Sequence, residues 1–235
     1  MPGLLPLILF ATFNNLVGGV FMALMDPYGL TLFSVEAWGL VLGVTSLGFV
    51  IGGGIVAKFG LGSRPLRALM LVNLVVGFIG VFFTLREWAW LYVLGILAYM
   101  CFMPIAEAAE QTILQAVVPF EKQGRVFGFG QMLESGAAPV TAFLIGPIAQ
   151  YGLIPYLASP AGADRWAWLL GRGEARGIAL IFVCAGALMM VIVFSVQLGW
   201  LPAFGMESVG ANLKGLARAA DIARHLVLPT LALSF

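Results

Sequence analysis

Charge is what this 235-residue chain has least of: Asp, Glu, Lys and Arg make up 10% of it, and the net charge is +1. So sparse and balanced a set leaves no electrostatic footprint for nucleic acid. Histidine occurs once, at His225, and no Cys-x-x-Cys pair occurs, which removes the common histidine- and cysteine-built metal sites. There is no Gly-Lys dipeptide for a phosphate-cradling Walker loop and no Gly-x-Ser-x-Gly elbow for a serine nucleophile. Asn-x-Ser/Thr acceptors are absent as well. Neither an enzyme nor a cofactor or metal protein is expected. The two cysteines, Cys101 and Cys184, fall in apolar runs and read as packed free thiols, with a disulfide left open.

Apolar length is what the chain has in quantity: 61% of residues are hydrophobic and the mean hydropathy is +1.03. Residues 3–25, 37–57, 68–85, 88–106 and 177–206 contain no Asp, Glu, Lys or Arg, and residues 126–148 contain only Glu134. About 20 apolar residues cover a bilayer core, and a helix satisfies its own backbone there. The first run lacks a basic leader and is long enough to span, so it reads as a span and not as a cleaved signal. The expected fold is an all-α membrane protein with six transmembrane helices, over residues 1–196, followed by a tail at 197–235.

Six spans place both ends of that body on one side. Lys58, Arg64, Arg67, Lys122 and Arg125 fall on that side, and Lys214, Arg218 and Arg224 in the tail join them. Arg86, Arg165, Arg172 and Arg176 fall on the other, the last three in a long segment at 151–176. The positive-inside rule puts the N-terminus in the cytoplasm of a cell whose inner (plasma) membrane holds the chain. Trp38, Trp88, Trp90, Trp166 and Trp168 lie near span ends on the second side, where an aromatic belt is expected. Gly39, Gly43, Gly48 and Gly52 to Gly54 stripe the second span at intervals that let helix backbones approach.

Polar residues inside the spans are the candidates for function. After Ala106 no helix breaker appears until Pro119. A helix continued that far carries Glu107, Gln111 and Gln115 on one face, with Glu110 beside them. It places Glu107 near the bilayer middle, where a carboxylate is costly and faces a bundle interior or a wet cavity. The alternative ends the membrane near Ala106 and leaves both glutamates at the interface. Glu134 lies nine residues past Arg125, about 13 Å of helix, where it lines a cavity or bonds a neighbouring helix. Asn14, Asn15 and Asn73 read first as interhelical hydrogen-bond glue; Asn14 and Asn15 are also candidates for substrate contact.

QTILQAVVPFEKQGRVFG (residues 111–128) resembles the tenth helix, cytoplasmic turn and eleventh-helix start of major facilitator superfamily efflux transporters, with Gly124 and Arg125 at matching positions. GGGIVAKFGLGSRPLR (residues 52–67) is similar to the loop after that family's eighth helix, through Gly53, Lys58, Gly60 and Arg64. It departs from the pattern in having Ala57 at the usual acidic position, which weakens the charge pair expected there. FNNLVGGVF and TAFLIGPIAQ also resemble the macrolide- and drug-efflux branch. The resemblance covers residues 3–192. It implies half of the family's fold, built as two inverted three-helix repeats, and a small-molecule substrate bound against a second six-helix half.

VFSVQLGWLPAFGMESVG (residues 193–210) and ARHLVLPTLALSF (residues 223–235) instead resemble a peptide-type ABC importer permease. Leu213, Leu216, Ala217, Ala220 and Ala223 form an apolar stripe ringed by basic residues, either an amphipathic surface helix or a solvated linker helix. The expected function is proton-coupled efflux of a small amphiphilic molecule. The alternatives are an ABC permease subunit of the peptide/nickel type and a non-functional fusion product.

Overall fold

The computed structural model describes residues 4–173 and 175–198. The tail expected to differ in origin lies outside the described residues beyond Leu198, together with its amphipathic stripe. The described chain is helical, with no strand. It forms α1 (Leu4–Leu32), α2 (Val35–Phe59), α3 (Pro65–Phe82), α4 (Ala89–Val117), α5 (Phe120–Pro147), α6 (Ile154–Ala158), α7 (Pro160–Leu170) and α8 (Arg176–Leu198). Six segments are long and apolar enough to cross a membrane: α1 to α4, α5 continued through α6, and α8. Their outer surfaces carry Leu40, Val50, Phe120 and Phe143 exposed, as lipid-facing helices do.

Local chemistry sets the boundaries. Ser34 caps α2 by accepting from the Ala37 N–H, and Ser159 caps α7 by accepting from Gly162, with Pro160 in the first turn. Pro65 opens α3 where a missing N–H costs nothing. Gly60 closes α2 at φ 65° and ψ −170°, a conformation that belongs almost to glycine alone. Gln123 donates to the carbonyls of Gln115 and Val118, capping α4 across the Pro119 turn.

Helix pairing is symmetric in the chain. α1 packs on α5 as α4 packs on α2, α3 packs on α8, and α3 meets α4 as α8 meets α1. Exchanging α1, α2, α3 with α4, α5, α8 leaves that scheme unchanged. Each three-helix unit has an odd number of crossings, so the two run in opposite directions. α2 and α5 are equivalent in it and occupy its two rims, each resting mainly on one neighbour.

Small residues make the seams. A Cβ on Gly48 would come 2.8 Å from Leu97 O of α4, and one on Gly52 would overlap the Cys101 carbonyl. Gly19 meets Ala138 of α5, and Gly77 and Gly80 meet Gly186 of α8. The glycine stripe expected along the second span is thus narrower: Gly39, Gly43, Gly53 and Gly54 face open space.

Tyr28, Trp38, Thr84, Glu87, Tyr92, Leu170 and Arg176 gather at one end, here the aromatic end. The turns at Gly60 and Pro119 form the opposite, basic end. The core is anchored by Phe21, Phe83 and Phe182 packed with Tyr28, Tyr92 and Tyr99 in stacked, tilted and edge-on pairs, centroids 4.8–6.1 Å apart. Such pairs add about 0.5–1.5 kcal/mol each beyond burial.

Three sequence expectations change. α1 runs on through Pro27 to Leu32, so the stretch between the first two apolar runs shrinks to a connection of Phe33 and Ser34. The segment at 151–176 is mostly helical, because α5 passes through a π-helical turn (Ile148–Leu153) into α6 and then α7. Trp38 belongs to the core and not to an interfacial belt: it is buried and donates through Nε1 to Asp26 Oδ1 at 2.9 Å. Trp88 and Trp90 are exposed and stacked, as a belt requires.

Candidate functional site

α4 does continue past Ala106, to Val117, so Glu107, Glu110, Gln111 and Gln115 all lie on it. The helix turns them differently. Ala106, Ala109, Glu110 and Leu114 are buried at i, i+3, i+4 and i+8, whereas Glu107, Gln111 and Gln115 are exposed. The acidic pair is therefore split between two environments. Glu110 lies seven residues before Val117, about 10 Å inside the helix. Glu134 is at the middle of α5, fourteen residues or about 21 Å of helix past Phe120.

Glu110 and Glu134 are brought together. Each is only 9% exposed, and their carboxyls lie within hydrogen-bonding reach across the gap between α4 and α5. Glu110 Oε1 is buried without a donor. Among the described residues, no Lys or Arg forms an ion pair with either. Beside them is a cavity of about 280 Å³ lined by Gln111, Leu114, Phe127, Gly128, Gly130, Gln131 and Glu134. Gln131 donates its amide nitrogen to Ser135 Oγ at 3.0 Å, which leaves its amide oxygen free. The result is a largely apolar hollow edged by the oxygen acceptors of Gln111, Gln131 and Glu134, with one aromatic wall and no positive charge.

The asparagines behave otherwise than expected. Asn15 donates to Ala11 O at 3.1 Å and Asn73 to Leu69 O at 2.9 Å, so each amide bonds the preceding turn of its own helix and not a neighbour. Asn14 is half-buried. Neither Asn14 nor Asn15 lines the cavity beside Glu134.

At the basic end, Lys58 is exposed and sits 5.3 Å from the Phe59 ring centroid. Gly53 is half-buried but has room for a Cβ. Gly60 makes the turn, and Arg64 precedes α3, exposed. Gly124 and Arg125 are exposed near the start of α5, Arg125 beside a groove of about 310 Å³ shared with Leu4 and Ile8 of α1. None of these reaches Glu110 or Glu134 through a hydrogen bond or ion pair among the described residues.

One buried charge was not legible as such. Arg176, assigned by its sequence position to a loop, is 2% exposed at the start of α8. Its guanidinium donates through Nε to Glu87 Oε1 at 3.1 Å, with Nη2 3.0 Å from the same oxygen in an ion pair, and to Thr84 O at 3.1 Å, Leu170 O at 2.9 Å and Tyr28 OH at 2.7 Å. It ties the ends of α1, α3 and α7 to the starts of α4 and α8. Tyr92 OH to Met25 O at 2.6 Å and Arg86 Nη1 to Leu169 O at 2.6 Å reinforce the same end. The available signal was its place, directly against an uninterrupted apolar run. The basic end has no comparable lock among the described residues. Comparison with family models, curated proteins and solved structures returns no match for this chain.

Proposed function

We propose that this chain is a six-helix half of a secondary transporter, exporting a small amphiphilic molecule in exchange for protons. The observation that carries this reading is the buried Glu110–Glu134 pair, without a cationic partner among the described residues, beside a hollow edged by Gln111 and Gln131 in an otherwise apolar helical body. Carboxyls at that depth are rare and mark proton or substrate paths. The symmetric pairing of the two three-helix units supports the reading, since transporters are often built from inverted repeats with the site at their interface. α2 and α5, the least buried membrane-crossing helices, are the surfaces on which a second six-helix half would rest.

The test is transport by the full chain in proteoliposomes with an imposed pH gradient, using an amphiphilic fluorescent amine as the probe. Gradient-driven probe movement is expected in the wild type, and its loss in Glu110→Gln, which keeps shape but not titration. Probe movement equal to that of empty liposomes, both for the chain alone and after co-reconstitution with a six-helix half of the same family, overturns the reading.

A further inference from the structure

We infer that Glu110 and Glu134 share a single proton, and that this proton latches α4 to α5 across the hollow between them. The inference deepens the transporter reading and rests on it for its purpose, though not for its geometry. Ionised carboxylates only accept hydrogen bonds, so two carboxyls in bonding reach need one proton between them. Glu110 Oε1 otherwise has no donor. Removing the proton leaves two like charges, buried and unpaired, and the cheapest relief is separation.

The surrounding packing allows that separation. α4 is held by α2 and α3, α5 is held by α1, and α4 and α5 scarcely touch each other away from the turn that joins them. The α1–α5 seam is tightest at Gly19, Ala138 and Thr141, beyond Glu134, whereas Leu4 and Ile8 of α1 meet Arg125, Val126 and Phe129 across a groove at the basic end. A Cβ on Gly124 or Gly128 before Glu134, or on Gly136 just past it, would meet no neighbour, so no tight seam forms at these glycines. Pro104 in α4 and Pro139 in α5 each remove a helix hydrogen bond just beyond the pair, on the side away from the turn. A helical hairpin between two weakened points, tied deep by one shared proton, is a device that opens when the proton leaves.

Few other charges compete. α1 carries only Asp26, engaged by Trp38, and α2 carries Glu36 and Lys58 at its ends. α3 carries Arg67 in its first turn, and α5 carries Glu121, Lys122 and Arg125 near its start. Glu107, on α4 itself, is the further charge that reaches Glu110.

Spin labels at Thr112 on α4 and Met132 on α5, both exposed, read the gap in a chain with Cys101 and Cys184 replaced by alanine. One short distance is expected at low pH, with a longer-distance population growing as pH rises. The ratio should change about tenfold per pH unit, the slope of one proton. Glu110→Gln and Glu134→Gln should each keep the short distance at every pH, because an amide N–H donates permanently to the remaining carboxylate. Glu121→Gln, in the exposed first turn of α5, should respond as the parent does. A single distance at all pH values in the parent overturns the latch, whether or not the variants fold, and so does undiminished widening in both Gln variants. The measurement needs no substrate or gradient: a latch without transport defeats the transporter reading alone, and transport without a latch defeats this inference alone.

Discussion

Replacing Arg176 with Met keeps an unbranched stem of similar length while deleting every polar contact of the guanidinium. Three acceptors are then left inside the protein: Thr84 O, Leu170 O and Tyr28 OH, held at 3.1, 2.9 and 2.7 Å by Arg176. Each buried polar group left unmade costs about 1–3 kcal/mol. Tyr28 can rotate its hydroxyl, and the two carbonyls end helices that water can reach in part, so the low end applies. Glu87 is 38% exposed and rehydrates, so its share is discounted. The expected loss is about 3–5 kcal/mol, the range seen when one partner of a buried ion pair is removed. Denaturation in mild detergent by increasing dodecyl sulfate, followed by far-ultraviolet circular dichroism, measures it. Glu87→Gln should lose about 1 kcal/mol, since an amide oxygen still accepts from Arg176. Arg172→Met removes a surface pair with Asp164 whose side chains are 73% and 68% exposed, and should lose about 0–1 kcal/mol. If Arg176→Met destabilises no more than Arg172→Met, the aromatic end is not held by this group.

Gly52→Ala should destabilise by about 1–3 kcal/mol or more by driving a methyl into the Cys101 carbonyl. In the same denaturation, Gly53→Ala, with open space around it, should gain up to about 1 kcal/mol from helix propensity. Gly60→Ala should cost about 1–3 kcal/mol, because its φ of 65° and ψ of −170° suit glycine alone. Single cysteines at Gly62, Gly124 and Arg165 should react with an impermeant thiol reagent so that the first two share a side and the third lies opposite; labelling of all three from one side would refute the six-crossing order.

Helix number and type were legible because the spans are uninterrupted and charges are confined to their ends. Their lengths were harder to read. Asp26 and Pro27 mark the end of a span by hydropathy, yet α1 absorbs both: Asp26 is engaged by Trp38, and helix neighbours tolerate the proline. Glycine spacing identified α2 as a packing helix but could not say which face packs. A stripe read from sequence counts every small residue, whereas the seam uses only Gly48 and Gly52, one turn apart, where the α4 backbone comes closest. The asparagines show the same limit, since an amide in a helix always has the carbonyl four residues back within reach, and Asn15 and Asn73 take it.

The candidate site divides along the same line between local and long-range information. Spacing within α4 correctly set Glu107, Gln111 and Gln115 on one face, because that is helix geometry. It could not say that Glu110, and not Glu107, turns inward, because the answer depends on where α2, α3 and α5 stand. It also could not pair Glu110 with Glu134 across the Pro119 turn. The helix gives the two glutamates different surroundings: Glu110 is buried with Glu134, and Glu107 and Gln111 are exposed. A closely packed aromatic end with Arg176 at its centre, set against a basic end whose deepest tie is that proton, puts the yielding part of the molecule where α4 and α5 separate.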